Sequence, residues 1–163
     1  MVIETAPPSG AASTTPSEAA VRAALAEVRD PELPVVSLVD LGIVERVEVA
    51  GGRIAVELLP TFIGCPALEL IEASVAERLA LFGVPVEVGF TRRVPWTSDR
   101  ITAAGLGRLR AAGIAPPLDP ANMRCPWCDS ARVVMDSAFG PTQCRSLFYC
   151  RDCRQPFEAL KPI

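Results

Sequence analysis

Histidine is absent from this chain of 163 residues. Its absence excludes any Ser–His–Asp or Cys–His site built from this chain alone. Lysine occurs once, at Lys161, so nearly all the basic side chains are arginine. Charge of neither sign dominates: sixteen basic against nineteen acidic residues leave a net charge of −3. Such a balance does not point to a nucleic acid or a membrane as partner. Long apolar runs are missing too. No uncharged stretch approaches the roughly 18 residues needed to span a bilayer. The first residues lack the basic region and apolar core of a signal peptide. The expected location is the reducing cytoplasm, where six cysteines read as metal ligands or reactive thiols before disulfides.

What is present suffices for a core, since 50% of residues are hydrophobic and 21% charged. Residues 1–14 are rich in Ala, Ser, Thr and Pro without periodicity, and read as a disordered tail. Thr15-Pro16-Ser17-Glu18 matches a capping box with Thr15 as N-cap. The helix it opens carries Val21, Leu25 and Val28 on one face and stops before Pro31. Val44–Val49 and Arg53–Leu58 alternate as strands around a Gly51-Gly52 turn. A helix is predicted from Pro66 to about Phe82, closed by Gly83, then a strand over Val84–Phe90. Ser98-Asp99 are expected to cap a last helix ending near Ala112, with Gly113 after it. The order predicts an α+β fold: a small mixed β-sheet with helices on one side, its third strand parallel to its second if the two are neighbours. A small zinc-ribbon module follows. The predicted divisions are a domain over 15–114, a Pro-rich linker over 115–122, and the ribbon over 123–163.

The turn Phe62-Ile63-Gly64-Cys65-Pro66 joins the second strand to the central helix. Gly64 is expected to supply unusual backbone angles, and Pro66 to occupy the first helical position. That places the Cys65 thiol at the positive end of a helix, where a thiolate is favoured and the pKa falls. A buried small hydrophobe is the other reading of the same residue.

Cys125-Pro-Trp-Cys128 and Cys150-Arg-Asp-Cys153 are two Cys-x-x-Cys knuckles. Each turns two thiolates toward one point, and together they complete a four-sulfur site for structural zinc. A single iron, an iron–sulfur cluster or paired disulfides are the alternatives left by the spacing. A closed four-thiolate site has no position for substrate, so it is read as structural, with protein docking favoured over nucleic-acid binding. Arg132–Met135 and Ser146–Tyr149 read as the ribbon strands. Cys144 is left over: a packed turn residue, or an auxiliary thiol that exchanges with a ribbon ligand or joins Cys65 in handling metal.

Asp30-Pro31-Glu32, Asp40-Leu41-Gly42-Ile43-Val44, Thr61–Ala67 and Pro95-Trp96-Thr97 follow one another in the order of a known family. Over about residues 17–114 the chain resembles the small iron–sulfur assembly proteins related to SufT. With the linker, the ribbon and the extra cysteine, it is similar as a whole to the PaaD family of bacterial phenylacetyl-CoA 1,2-epoxidase systems. It departs at Phe62-Ile63, where relatives more often carry Tyr-Ser. The resemblance implies a non-catalytic maturation role in aerobic phenylacetate degradation. The role would be to install either the iron–sulfur cluster of the reductase or the di-iron site of the oxygenase, with those proteins as partners. Cys65 would handle a transient cluster or iron, alone or in a homodimer presenting two copies. Asp30 and Glu32 would add oxygen ligands or orient the Cys65 loop. Two other readings stand beside it: a structural component of the oxygenase complex, and a thiol-dependent enzyme using Cys65 as nucleophile.

Overall fold

The computed structural model describes residues 15–162, so the predicted tail over 1–14 lies outside the described residues. The chain runs through helix α1 (Glu18–Leu25), strands β1 (Val44–Ala50) and β2 (Arg53–Leu58), and helix α2 (Leu68–Ala80). Strand β3 (Val86–Phe90), helix α3 (Ala103–Ala111) and strands β4 (Ile114–Ala115), β5 (Val133–Ser137), β6 (Arg145–Cys150) and β7 (Pro156–Leu160) follow.

The first sheet has the order β1-β2-β3, antiparallel between β1 and β2 and parallel between β2 and β3. The antiparallel turn falls on Gly51 and Gly52, both at positive φ (57° and 72°), as a tight two-residue connection requires. Alternation along β2 sends Ile54, Val56 and Leu58 into the core, where α1 and α2 cover them with Val21, Leu25, Val75 and Leu79. Glu57, on the opposite face, pairs with Arg93 at 2.6 Å. The helices therefore lie on one side of a small mixed sheet, the predicted α+β arrangement.

The helix starts differ from prediction. Ser17, not Thr15, caps α1: its backbone is extended and its hydroxyl accepts the Ala20 N–H at 3.1 Å. Helix α2 begins at Leu68 rather than Pro66, with Ala67 as N-cap and no side chain capping it. Ser98–Arg100 form only a single tight turn, and Thr102 caps α3 by accepting the Gly105 N–H at 3.0 Å.

The second sheet has the order β4-β7-β6-β5. The two ribbon strands read from the sequence gain β7 on one side, and β7 pairs in parallel with β4. Ala115, expected to open the linker, is fully buried in that pairing. Ile114 and Leu160 belong to the first core, whereas Ala115, Phe148, Phe157 and Ala159 belong to a small second one. The ribbon thus packs against the α+β domain instead of hanging from a spacer. No described helix is long and apolar enough to cross a membrane.

Candidate metal-handling site and ribbon metal centre

The loop after β2 folds into a turn in which the Cys65 N–H donates to the Phe62 carbonyl at 3.1 Å. Gly64 is not among the glycines at positive φ, contrary to expectation. Its smallness serves packing instead, because a Cβ there would stand 3.1 Å from the Phe62 ring. The Cys65 sulfur accepts the Ala67 N–H at 3.4 Å and so does part of the capping that α2 otherwise lacks.

The electrostatics are opposite to the sequence expectation. Burial pushes the Cys65 thiol above its ordinary pKa, and the Ala67 N–H only partly offsets this. Glu32, Cys144 and Asp30 then add negative neighbours that raise it further. The Cys65 thiol is half-buried, and its raised pKa favours the protonated form over the thiolate.

Asp30 and Glu32 have separate jobs. The Asp30 Oδ1 accepts the N–H groups of Glu32 (2.8 Å) and Leu33 (2.9 Å), closing the Asp-Pro-Glu-Leu turn. That carboxyl is buried, and burial raises its pKa although the two N–H groups pull the other way. The turn aims Glu32 at Cys65, whose thiol donates to Glu32 Oε2 at 3.7 Å.

The ribbon supplies the last member. The Cys144 thiol donates to the same Glu32 Oε2 at 3.8 Å, from 112 residues away in sequence. Thr142 Oγ1 lies 3.2 Å from the Cys144 sulfur. Burial raises this thiol too, against the Thr142 hydroxyl. Arg145 locks the junction: its guanidinium donates to Thr142 Oγ1 (2.8 Å), to the Glu32 carbonyl (3.2 Å) and to the Glu158 carboxylate. The Lys161 N–H meets the Cys144 carbonyl at 2.9 Å. Asp30, Glu32, Cys65 and Cys144 share a cavity of about 30 Å³ walled by Leu41, Ile71 and Trp96, room for about one water. Trp96 is core, its indole N–H donating to the Leu41 carbonyl at 2.8 Å.

The second centre is the four-cysteine group. The sulfurs of Cys125, Cys128, Cys150 and Cys153 all lie within 4.8 Å of one another. Cys125 and Cys153 stand 3.6 Å apart, as do Cys128 and Cys150. Four sulfurs about 2.3 Å from a shared ion would be about 3.8 Å apart, whereas a disulfide needs about 2.05 Å. All six cysteines are free, and the set fits a tetrahedral metal. Burial raises Cys150, but the N–H groups of Cys153 and Asp152 prevail and bring it down to about 7. Burial of Cys153, with its three sulfur neighbours, pushes it up to about 12, although the Gln155 N–H pulls the other way.

Arg145 was not signalled by the sequence: it is one basic residue among many, and its role depends on a contact between modules.

These features define a class: a small α+β domain joined to a ribbon whose four cysteines are grouped for a metal. Residues 18–88 match the family model "Iron-sulfur cluster assembly protein", and residues 114–161 match "PaaD zinc beta ribbon domain". The chain is 37% identical over 149 residues to an Escherichia coli (strain K12) protein named as the putative D component of 1,2-phenylacetyl-CoA epoxidase. That match covers 86% of this chain and 90% of the other. The chain belongs to the PaaD family of 1,2-phenylacetyl-CoA epoxidase components. Among solved structures it is similar to a DUF59 domain from Bacillus anthracis (29% identity, TM-score 0.52), covering 56% of this chain and 90% of that one. A conserved hypothetical protein from Thermotoga maritima is similar at 28% identity and TM-score 0.51, covering 58% and 95%.

Proposed function

We propose that this protein is a non-catalytic maturation factor for the metal centres of a phenylacetyl-CoA 1,2-epoxidase system. Cys65 is the thiol that handles iron or an iron–sulfur cluster in transit, and the ribbon holds structural zinc. The client is the oxygenase or the reductase component, met in the cytoplasm. One observation carries the reading: Cys65 shares a carboxylate oxygen of Glu32 with a second thiol in a small cavity. Soft sulfur beside hard oxygen suits iron. The family resemblance adds the system served.

The high thiol pKa favours this reading over covalent catalysis. A nucleophile needs a stabilised thiolate or a base able to take its proton, and the base beside Cys65 is a carboxylate, ordinarily far weaker than a thiolate. Oxygenase and reductase expressed with and without this protein, and with Cys65→Ser, provide the test. Iron and sulfide in one component should fall, with Cys65→Ser, to the level seen without the protein. Fully metallated components in both cases would sink the proposal.

A further inference from the structure

The ribbon does more than hold itself together: it delivers Cys144 to the same carboxylate oxygen that Cys65 faces. We propose that Cys65, Cys144 and Glu32 form a two-thiolate, one-carboxylate site for a single divalent transition-metal ion, completed only when the ribbon is docked on the α+β domain. The site rests on the reading of Cys65 as a metal-handling thiol and names both its cargo and its missing ligand.

Two of the three ligand separations already suit such an ion. A tetrahedral centre with sulfur at about 2.3 Å and oxygen at about 2.0–2.2 Å sets sulfur and oxygen about 3.5–3.6 Å apart. The observed separations from Glu32 Oε2 are 3.7 Å to Cys65 and 3.8 Å to Cys144. The small cavity of about 30 Å³ on which the three ligands converge suits a single ion. Both sulfurs sit on loops flanking regular elements, and they stand more than 4.8 Å from each other, wider than the about 3.8 Å that a shared tetrahedral ion sets. An entering ion would therefore draw them together. Three ligands leave the fourth position of the ion open, as transfer to another protein requires, whereas the ribbon set is closed. Supporting groups are in place: Asp30 shapes the Glu32 turn, and Arg145 holds the Glu32 carbonyl and the Thr142 hydroxyl beside Cys144. Binding is written as M²⁺ + 2 RSH + RCOO⁻ → M(SR)₂(OOCR)⁻ + 2 H⁺, with no change of oxidation state.

The test titrates Co²⁺ into the full-length protein, ribbon metal in place, under anaerobic reducing conditions. One equivalent should bind, with a thiolate-to-cobalt charge-transfer band and no release of ribbon metal. Cys144→Ser should roughly halve that band and weaken binding by at least about tenfold, the order lost when metal-site support is removed. Cys65→Ser should do the same, and Glu32→Gln should keep the band while weakening binding. Ribbon metal at one ion per chain in every variant certifies the fold. Cobalt uptake matched by ribbon-metal release, or binding indifferent to Cys144→Ser, overturns the proposal. If Cys144 proves irrelevant while Cys65→Ser still starves the client, the composite site falls and the maturation role stands. If both thiols bind cobalt but Cys65→Ser leaves clients fully metallated, the maturation role falls and the site stands.

Discussion

At the scale of single residues, Cys65 is governed by its surroundings more than by its place before a helix. The helix-start argument predicts a lowered pKa, but burial and the Glu32 carboxylate outweigh one N–H contact. Because the thiol pKa is raised, the thiolate fraction at neutral pH is below that of an ordinary cysteine. Alkylation of Cys65 by iodoacetamide in metal-free buffer should be slower at pH 7 than in the unfolded chain, and should climb as pH rises past the ordinary thiol range. Glu32→Gln removes the nearest negative charge and should speed the reaction at any fixed pH in between. Mass spectrometry of the Cys65 peptide reads both effects. A rate already at its plateau at pH 7 would contradict the charge assignment.

At the scale of elements, α2 and β2–β3 form the platform that holds the Cys65 turn. Leu79 is fully buried on α2 against the sheet, while Leu70 on the same helix is 55% exposed. Leu79→Ala should cost about 2–5 kcal/mol in urea unfolding, because its cavity cannot collapse against a paired sheet. Leu70→Asn should stay within about 0.5 kcal/mol. Equal costs for the two would mean that α2 does not pack as described. The periodicity of Ile71, Val75 and Leu79 made this face legible in advance. The start of the helix was not legible, because Pro66 is acceptable both at a first helical position and in the preceding turn.

At the scale of the whole molecule, the ribbon core is seven buried residues, two of them metal-binding cysteines. So small a cluster does not hold a four-stranded sheet by apolar burial alone. Stripping the ribbon metal with a chelator under reducing conditions should raise hydrogen exchange across β5–β7 while α1, α2 and β1–β3 keep their protection. Cys65 should then alkylate faster, since Cys144 would leave its side of the cavity. Protection of β5–β7 unchanged after complete metal loss would show that packing on the first core suffices.

The residue order alone was enough for the two-strand turn at Gly51-Gly52, the apolar faces of α1 and α2, and the four-sulfur knuckles. Each depends on spacing within a short stretch, which backbone sterics and side-chain periodicity convert directly into shape. The parallel pairing of β3 followed only once the structure set it beside β2. The meeting of Cys65, Glu32 and Cys144 is of another kind. It requires β4 to pair with β7, Arg145 to reach the Glu32 carbonyl, and Trp127 of the first knuckle to lie against Gly113, where a Cβ would run into its ring. No local pattern encodes how two packed sheets are set against each other. The sign of the Cys65 pKa shift came from the same source, because burial and charge are summed over neighbours in space and not along the chain. The thiol beside α2 could be read from its sequence; its protonation and its companions were decided by packing.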